Sequence, residues 1–246
     1  FAAAAQEETG ITSSSTVDEF YPAEEEWPEK MRLKLEKEAL GFYISGHPLH
    51  RYMDDLGRLA SVNTATIAAA AQGRGRFEGV TIAGIVSSMR ERPLKNGTGR
   101  MAFVQLEDLH GSIEVLVFSK AFAVGEMTLK SGEPILIAGS PSLEGDEDPV
   151  VKVRAKEIFL LSDIRNEQTN SMEIQVNLSK LTTERLTKLK ELFSSNRGPV
   201  ETRIKVTEPG VSETVIQLPD SLRIQPNDEL LNRVDRLFEG RVVKLS

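Results

Sequence analysis

The sequence contains no cysteine. That excludes a disulfide framework and every thiolate metal site, and it fits a cytosolic chain. The three histidines, His47, His50 and His110, are too few and too scattered for a zinc centre. No apolar run approaches the roughly 18 residues a membrane-spanning helix needs. The opening FAAAAQEE has no basic region ahead of a hydrophobic stretch, so it is not a signal peptide pattern. There is no Walker-type phosphate loop and no nucleophile elbow. GRGRFEG (73–79) is Gly-rich, but it precedes a strand and lacks the Lys-Ser/Thr. No catalytic residue and no metal ligand is expected in this segment.

Basic residues are missing from the first 29 positions, which hold eight of the 37 acidic ones: Glu7, Glu8, Asp18, Glu19, Glu24, Glu25, Glu26 and Glu29. The net charge of −7 therefore describes a tail, and the rest of the chain is close to neutral. Residues 1–26, with their Ser, Thr and Ala, read as a disordered acidic linker. The low pI is no argument against nucleic-acid binding further on.

From Trp27 onward the hydrophobic period marks out the elements. In WPEKMRLKLEKEALGF, Pro28 opens a helix carrying Met31, Leu35, Ala39 and Phe42 on one face, with Gly41 near its end. In SGHPLHRYMDDLGRLA, Pro48 opens another, with Leu49, Tyr52, Met53 and Leu56 on one face. Residues 27–73 thus form a helical segment. Its Tyr-Met-Asp-Asp is the run that reverse transcriptases hold on a metal-binding hairpin. The helical period instead turns Tyr52 and Met53 inward and Asp54 and Asp55 to water, which excludes a polymerase site at this motif. His47, in a Gly-His-Pro turn, is read as a cap or a packing group.

From about Glu78 the period changes to two. Three strands, an amphipathic helix (SKAFAVGEMTLKSG) and two more strands around the acidic tip GDEDP come next, which is the order of an OB-fold barrel over 74–162. A polar linker at 162–171 leads to a small α+β domain over 171–246, with helices at 183–195 and 227–239, a hairpin across TEPGV and a last edge strand at RVVKL. The expected fold class is therefore mainly β plus α+β: a five-stranded OB barrel flanked by an N-terminal helical segment and a small C-terminal α+β domain.

OB folds bind oligonucleotides on strands two and three and with the loops after strands one and four. Phosphate asks for cations and bases ask for exposed rings. Arg74, Arg76, Arg90, Arg92, Lys95 and Arg100 face only Glu78 and Glu91 in the same stretch, and RERPLKNGTGR forms the first barrel loop. Phe103 shares its strand face with Gln105 and Glu107, and Phe118 with Glu114. These eight cations and rings are the candidate nucleic-acid-binding residues, against the alternative of a solvated loop and core rings. Glu107, Asp108 and Glu114 lie on or near that face and oppose phosphate, so micromolar affinity is expected.

WPEKMRLKLEKEALGFYISGHPLHRY and VTIAGIVSSMRERPLKNGTGRMAFVQLEDLHGSIEVLVFSKAF resemble the C-terminal part of the bacterial DNA polymerase III alpha-subunit family. LPDSLRIQPNDELLNRVDRLF is similar to that family's extreme C-terminus, so the resemblance runs from Trp27 to the end. It implies a non-catalytic, cytoplasmic part of a DNA-directed DNA polymerase whose catalytic aspartates, and the Mg2+ they hold, lie in domains upstream. It also implies single-stranded template DNA as partner of the barrel and the clamp-loader tau subunit as partner of the C-terminal domain. Of the family's clamp-binding peptide, which ends in Leu-Phe, only Phe1 stands as a remnant, so intact sliding-clamp binding is not expected. Leu231 and Phe238 are the candidate tau-binding patch, or else they widen the buried stripe of Leu230, Val234 and Leu237. The other reading of the whole is a stand-alone OB adaptor or a tRNA-anticodon-type module. A synthetase would need a catalytic domain after the barrel, and the residues after Ser171 are too few for one.

Overall fold

Residues 27–72, 79–94, 99–144 and 150–246 are described by a computed structural model. The linker 1–26 and the candidates Phe1, Arg74, Arg76 and Lys95 lie outside the described residues. Contacts divide the chain into two compact units, Phe1–Tyr43 and Ile44–Ser246.

In the first unit, helix α1 spans Glu29–Leu40. Pro28 is its N-cap rather than its first residue, and Gly41 ends it at φ 82°, donating to the Lys37 carbonyl at 3.0 Å. A left-handed C-cap of this kind suits glycine, which has no Cβ to clash. Leu33 is the buried apolar residue, while Met31 and Phe42 are exposed. The expected Met31–Phe42 stripe is therefore not the buried one; Leu33 sits two residues, or about 200°, around the helix from Met31.

The second unit begins with a 3-10 turn, Pro48–Tyr52, running into α2 (Met53–Leu59), and α3 (Ile67–Gln72) follows. His47 caps the turn, its Nδ1 accepting from the Leu49 N–H at 3.2 Å, while His50 Nδ1 accepts from the His47 N–H at 3.3 Å. A 3-10 turn eclipses residues three apart. Leu49, Tyr52 and Asp55 consequently line up inward, whereas Met53 points out, against expectation. Asp55 is buried beside Arg58 at 3.1 Å and Asp54 is exposed, so the two carboxylates diverge. Among the described residues no three His, Cys, Asp or Glu side chains gather as a metal set.

Strands β1 (Val80–Pro93), β2 (Arg100–Glu107), β3 (Ser112–Val117), β4 (Ile135–Glu144) and β5 (Val150–Leu160) close a barrel in the order β1-β2-β3-β5-β4. Helix α4 (Ser119–Leu129) lies between β3 and β4 in sequence. Alternation puts Val80 and Ile82, then Ala102, Val104 and Leu106, then Ile113, Val115 and Val117 into one core, which Phe122 and Leu129 of α4 complete. β1 serves two partners: Val80–Gly84 pair with β4 and Ile85–Pro93 with β2. Gly84 sits at the changeover, where a Cβ would lie 2.6 Å from Leu106 Cγ and 2.8 Å from the Glu107 carbonyl oxygen. Leu49, Tyr52 and Leu59 cover a second apolar cluster with Ala83, Leu136 and Leu161.

The stretch expected to be a polar linker is helix α5, Leu161–Gln168. It lacks a readable apolar stripe because one of its two buried residues is Arg165, 1% exposed. Beyond it, β6 (Ser171–Asn177), β7 (Arg197–Glu208), β8 (Ser212–Gln217) and β9 (Val243–Leu245) form a sheet in the order β8-β7-β6-β9, with α6 (Thr183–Ser195) and α7 (Asp228–Leu237). α6 buries Leu189 and Phe193 but leaves Leu186 exposed. Thr182 and Asn227 cap the two helices, accepting from the Arg185 and Leu230 N–H groups.

Phe238 is fully buried and Leu231 is partly buried against the same core. Of the two readings of these residues, the exposed patch is overturned and the widened buried stripe holds. Leu230, Val234 and Phe238 fall at i, i+4 and i+8, so Phe238 completes the inward stripe and Leu231 flanks it.

One carboxylate ties this domain to the barrel. Asp228, in the first turn of α7, accepts from Arg165 Nη2 at 2.6 Å and Tyr52 Oη at 3.0 Å, and Arg51 Nη2 lies 3.1 Å away. Arg165 and Arg51 also stack on the Tyr52 ring, with guanidinium carbons 4.8 and 5.2 Å from its centroid. Burial, then the negative charge of Asp228, push the Tyr52 phenol far up, so it stays a donor. Arg241 adds a hydrogen bond to the His50 carbonyl at 2.8 Å.

Two stability changes are expected on urea denaturation. Gly84→Ala, forced against Leu106 and the Glu107 carbonyl, costs about 1–3 kcal/mol. Asp228→Ala, which strands a buried guanidinium and a buried phenol, costs about 3 kcal/mol, and a parental midpoint for either variant contradicts the corresponding account.

Candidate nucleic-acid interface

The register of the barrel assembles the site. Arg90 of β1 lies opposite Phe103 of β2, Phe103 opposite Leu116 of β3, and Leu116 beside Arg154 of β5. These four residues form one row across four strands, about 14 Å from end to end at the usual strand spacing of about 4.8 Å. Since Ala102, Val104, Val115 and Val153 fill the core, the row lies on the outer surface. Leu116 is buried there as a floor, Phe103 is half-buried, and Arg90, Arg92 and Arg154 are exposed.

Phe103 carries a guanidinium on either hand: Arg90 at 5.2 Å and Arg92 at 5.5 Å from its ring centroid. Stacking on the ring holds both side chains without neutralising them. Among the described residues Arg90, Arg92 and Arg154 have no ion pair, so their charge is available to an anion.

The other predicted residues are distributed differently. Arg100 is held in a closed ionic square: it meets Glu91 at 2.6 Å and Glu126 at 3.0 Å, and Lys130 meets the same two carboxylates at 2.8 and 2.6 Å. Hydrogen bonding to Lys130 holds Glu126 below its usual range, and Lys130 is correspondingly raised by Glu126 and Glu91. Arg100 thus braces β1, β2 and α4 rather than standing free. Phe118 is exposed but lies beyond the end of β3, at the N-cap of α4.

The acidic residues oppose phosphate less than expected. Lys152 bridges Glu114 at 2.8 Å and Glu144 at 2.9 Å, and the hydrogen bonds it donates to those two raise its pKa, so one of these two negative charges is offset. Asp108 turns away and is buried. It accepts from the Thr64 N–H at 2.7 Å, the Thr64 hydroxyl at 2.6 Å and the N–H groups of His110 and Gly111 at 2.8 and 3.0 Å. Burial alone would raise this carboxyl, but the four donors outweigh it and hold the pKa below the usual value. Glu107 alone of the three stays on the β2 face without such compensation.

Sequence reasoning passed over Arg154. The alternation of VVKVRAK already turns it outward from Val153 and Ala155. What the alternation cannot say is that β5 lies parallel to β3, which brings Arg154 into line with Phe103.

A family model described as an OB-fold nucleic acid binding domain matches residues 80–161. The chain is 30% identical over 209 residues to DNA polymerase III subunit alpha of Pseudomonas aeruginosa, covering 85% of this chain and 17% of that protein. It is 28% identical over 230 residues to the subunit of the same name from Vibrio cholerae, covering 93% and 19%. It therefore spans less than a fifth of the length of these curated relatives. Among solved structures it is similar to the mitochondrial single-stranded DNA binding protein Rim1 of S. cerevisiae, with TM-score 0.28 and 18% identity over 35% of this chain and 96% of that one. The OB barrel is thus related to DNA polymerase III subunit alpha, as the motifs from Trp27 onward indicated.

Asp108→Asn should cost about 1–3 kcal/mol at neutral pH in a denaturant titration, since it leaves buried donors underused. Because the folded-state pKa is depressed, the stabilisation is present above the unfolded value near 4 and is lost as pH falls through the folded one. The gap between parent and variant should close with acidification; a gap independent of pH would mean that the carboxylate charge contributes nothing.

Proposed function

We propose that this chain is a non-catalytic part of a replicative DNA-directed DNA polymerase. Its barrel guides single-stranded template DNA, and its C-terminal α+β domain engages the clamp-loader tau subunit. The observation that carries the DNA reading is the row from Arg90 through Phe103 to Arg154. Its unpaired guanidinium groups lie at both ends to neutralise phosphate, with a ring between them for a base to stack on. Similarity to DNA polymerase III subunit alpha over most of the chain supports the replicative context. The tau reading rests on the resemblance of the C-terminal segment; Leu231 and Phe238 are set aside as its anchors because of their burial. The Mg2+ of polymerase chemistry belongs, on this reading, to domains outside this sequence.

A second reading, an anticodon-type RNA module, has the general description of the matching family model in its favour. Preference for oligouridine over oligothymidine of equal length would decide for it.

The test is fluorescence anisotropy of a labelled oligothymidine with the whole chain across salt concentrations. Binding in the micromolar range is expected, with the salt slope falling by about 0.7 for each single-strand phosphate contact removed by Arg90→Ala, Arg92→Ala or Arg154→Ala. Phe103→Ala should weaken binding by about 1–3 kcal/mol with little change in slope. Binding that is indifferent to all four substitutions would remove the row from the site.

A further inference from the structure

The row through Phe103 has a neighbour two residues further along the strands. Arg92 of β1 lies opposite Met101 of β2. One step past the Ala102–Val117 pair, Met101 stands opposite Phe118. One step past the Val117–Ala155 pair, Phe118 stands beside Lys156 of β5. Phe118 keeps an extended backbone, with φ −73° and ψ 163°. The alternation that sends Val117 into the core therefore turns Phe118 outward, where it is 46% exposed. On β5 a bulge serves the cation. Ala138 pairs with Glu157 and Gly139 with Ala155, which leaves Lys156 without a partner on β4. Lys156 is exposed, while Ala155 and Ile158 on either side of the bulge go into the core.

The second row repeats the chemistry of the first, with a cation at each end and an aromatic ring within. Among the described residues Arg92, Lys156 and Lys120, the last two positions after Phe118, have no ion pair. Glu157, next to Lys156, sets one negative charge against these three. Glu91 and Glu126 are already engaged by Arg100 and Lys130. In the other direction the pattern stops. Two residues back from the first row stand Ser88, Gln105, Glu114 and Lys152, with no ring, and Lys152 is engaged by Glu114. The cationic, ring-bearing part of the face is thus two rows deep. Phe103 and Phe118 lie on adjacent strands, two residues apart along them. Their Cα atoms are therefore roughly 8 Å apart, at a strand spacing of about 4.8 Å and a rise of about 3.3 Å per residue. That is more than twice the rise of about 3.4 Å per nucleotide in a duplex strand.

We propose that the two rows hold two consecutive nucleotides of one extended strand, the first base on Phe103 and the second on Phe118. This rests on the template-strand reading and deepens it by naming the form of the ligand. At this spacing two neighbouring bases cannot stay stacked on each other while each covers its own ring. The site therefore takes a single strand pulled open between successive bases. A duplex, whose neighbouring bases remain in contact, reaches one ring at most. Arg92 belongs to both rows, since its guanidinium lies 5.5 Å from the Phe103 ring centroid and its backbone heads the second row. It is assigned the phosphate that joins the two nucleotides, and Lys156 the phosphate beyond Phe118.

The experiment compares two labelled strands of about ten nucleotides by fluorescence anisotropy with the whole chain. One is oligothymidine; in the other every second thymidine is abasic, so that no two bases are neighbours. The parent should bind the alternating strand at least fivefold more weakly, since one ring goes uncovered, whereas halving the number of bases accounts for only a factor of about two. Phe118→Leu, which keeps apolar bulk and removes the ring, should weaken oligothymidine binding at least fivefold and bring the two strands within about twofold of each other. Lys156→Gln should lower the salt slope on oligothymidine by about 0.7. Both positions are exposed, so the parental melting temperature is expected. The strand comparison uses the parental protein and decides even where a variant fails to fold. A parental ratio below fivefold, parental affinity in Phe118→Leu, or an unchanged slope in Lys156→Gln would each overturn the second subsite. If Phe103→Ala still weakens binding in that case, the first row stands alone. Absence of parental binding, or indifference to Phe103→Ala, overturns the template-strand reading and the second subsite with it.

Discussion

A single carboxylate organises the second unit of this molecule. Asp228 accepts from the Tyr52 phenol and the Arg165 guanidinium and faces Arg51, and those residues belong to the turn before α2, the helix after β5 and α7. The barrel and the C-terminal sheet keep separate apolar cores, so hydrophobic burial stabilises each of them and does little to set one against the other. The orienting interaction is polar and directional. It is effective because Arg165 is almost fully buried, which makes an unpaired partner expensive and a paired one specific. The position of Asp228 in the first turn of α7 adds the favourable end of the helix dipole to the same group.

The molecule uses one side-chain arrangement twice. Tyr52 stands between Arg51 and Arg165, and Phe103 stands between Arg90 and Arg92. At Tyr52 a carboxylate closes the arrangement and the result is structural. At Phe103 no described carboxylate does so, and two guanidinium groups are left facing solvent beside a ring. The same logic separates Arg100 from its neighbours. It lies in the same basic stretch, but Glu91 and Glu126 consume its charge. Counting cations in a segment therefore overstates an anion site; what matters is which of them have already been neutralised.

The barrel was readable from sequence because strand alternation and the position of α4 between β3 and β4 are local signals. Val80, Ile82, Val104 and Leu106 went inward as their period required, and Phe103 outward. Failures came where the local geometry changed or a polar group was buried. The 3-10 turn before α2 moved Asp55 inward and Met53 out. Helix α5 passed for a linker because its inward side carries a guanidinium, and a pattern of apolar residues cannot register that. Phe238 stood between an exposed patch and a wider buried stripe, because it caps α7 just past its last residue and helical spacing alone does not say how far the covering core extends.

By itself the sequence determined the order of the barrel's elements, the inner and outer faces of its strands, the uneven charge and the resemblance to a polymerase subunit. These depend on residue type and on spacing along one segment. Tertiary structure alone decided which distant residues meet: Arg154 with the Phe103 row, Lys152 with Glu114, Asp228 with Tyr52 and Arg165. Those pairings depend on strand register and domain docking, which arise when segments up to 176 positions apart come into contact. No period along a single segment carries that information.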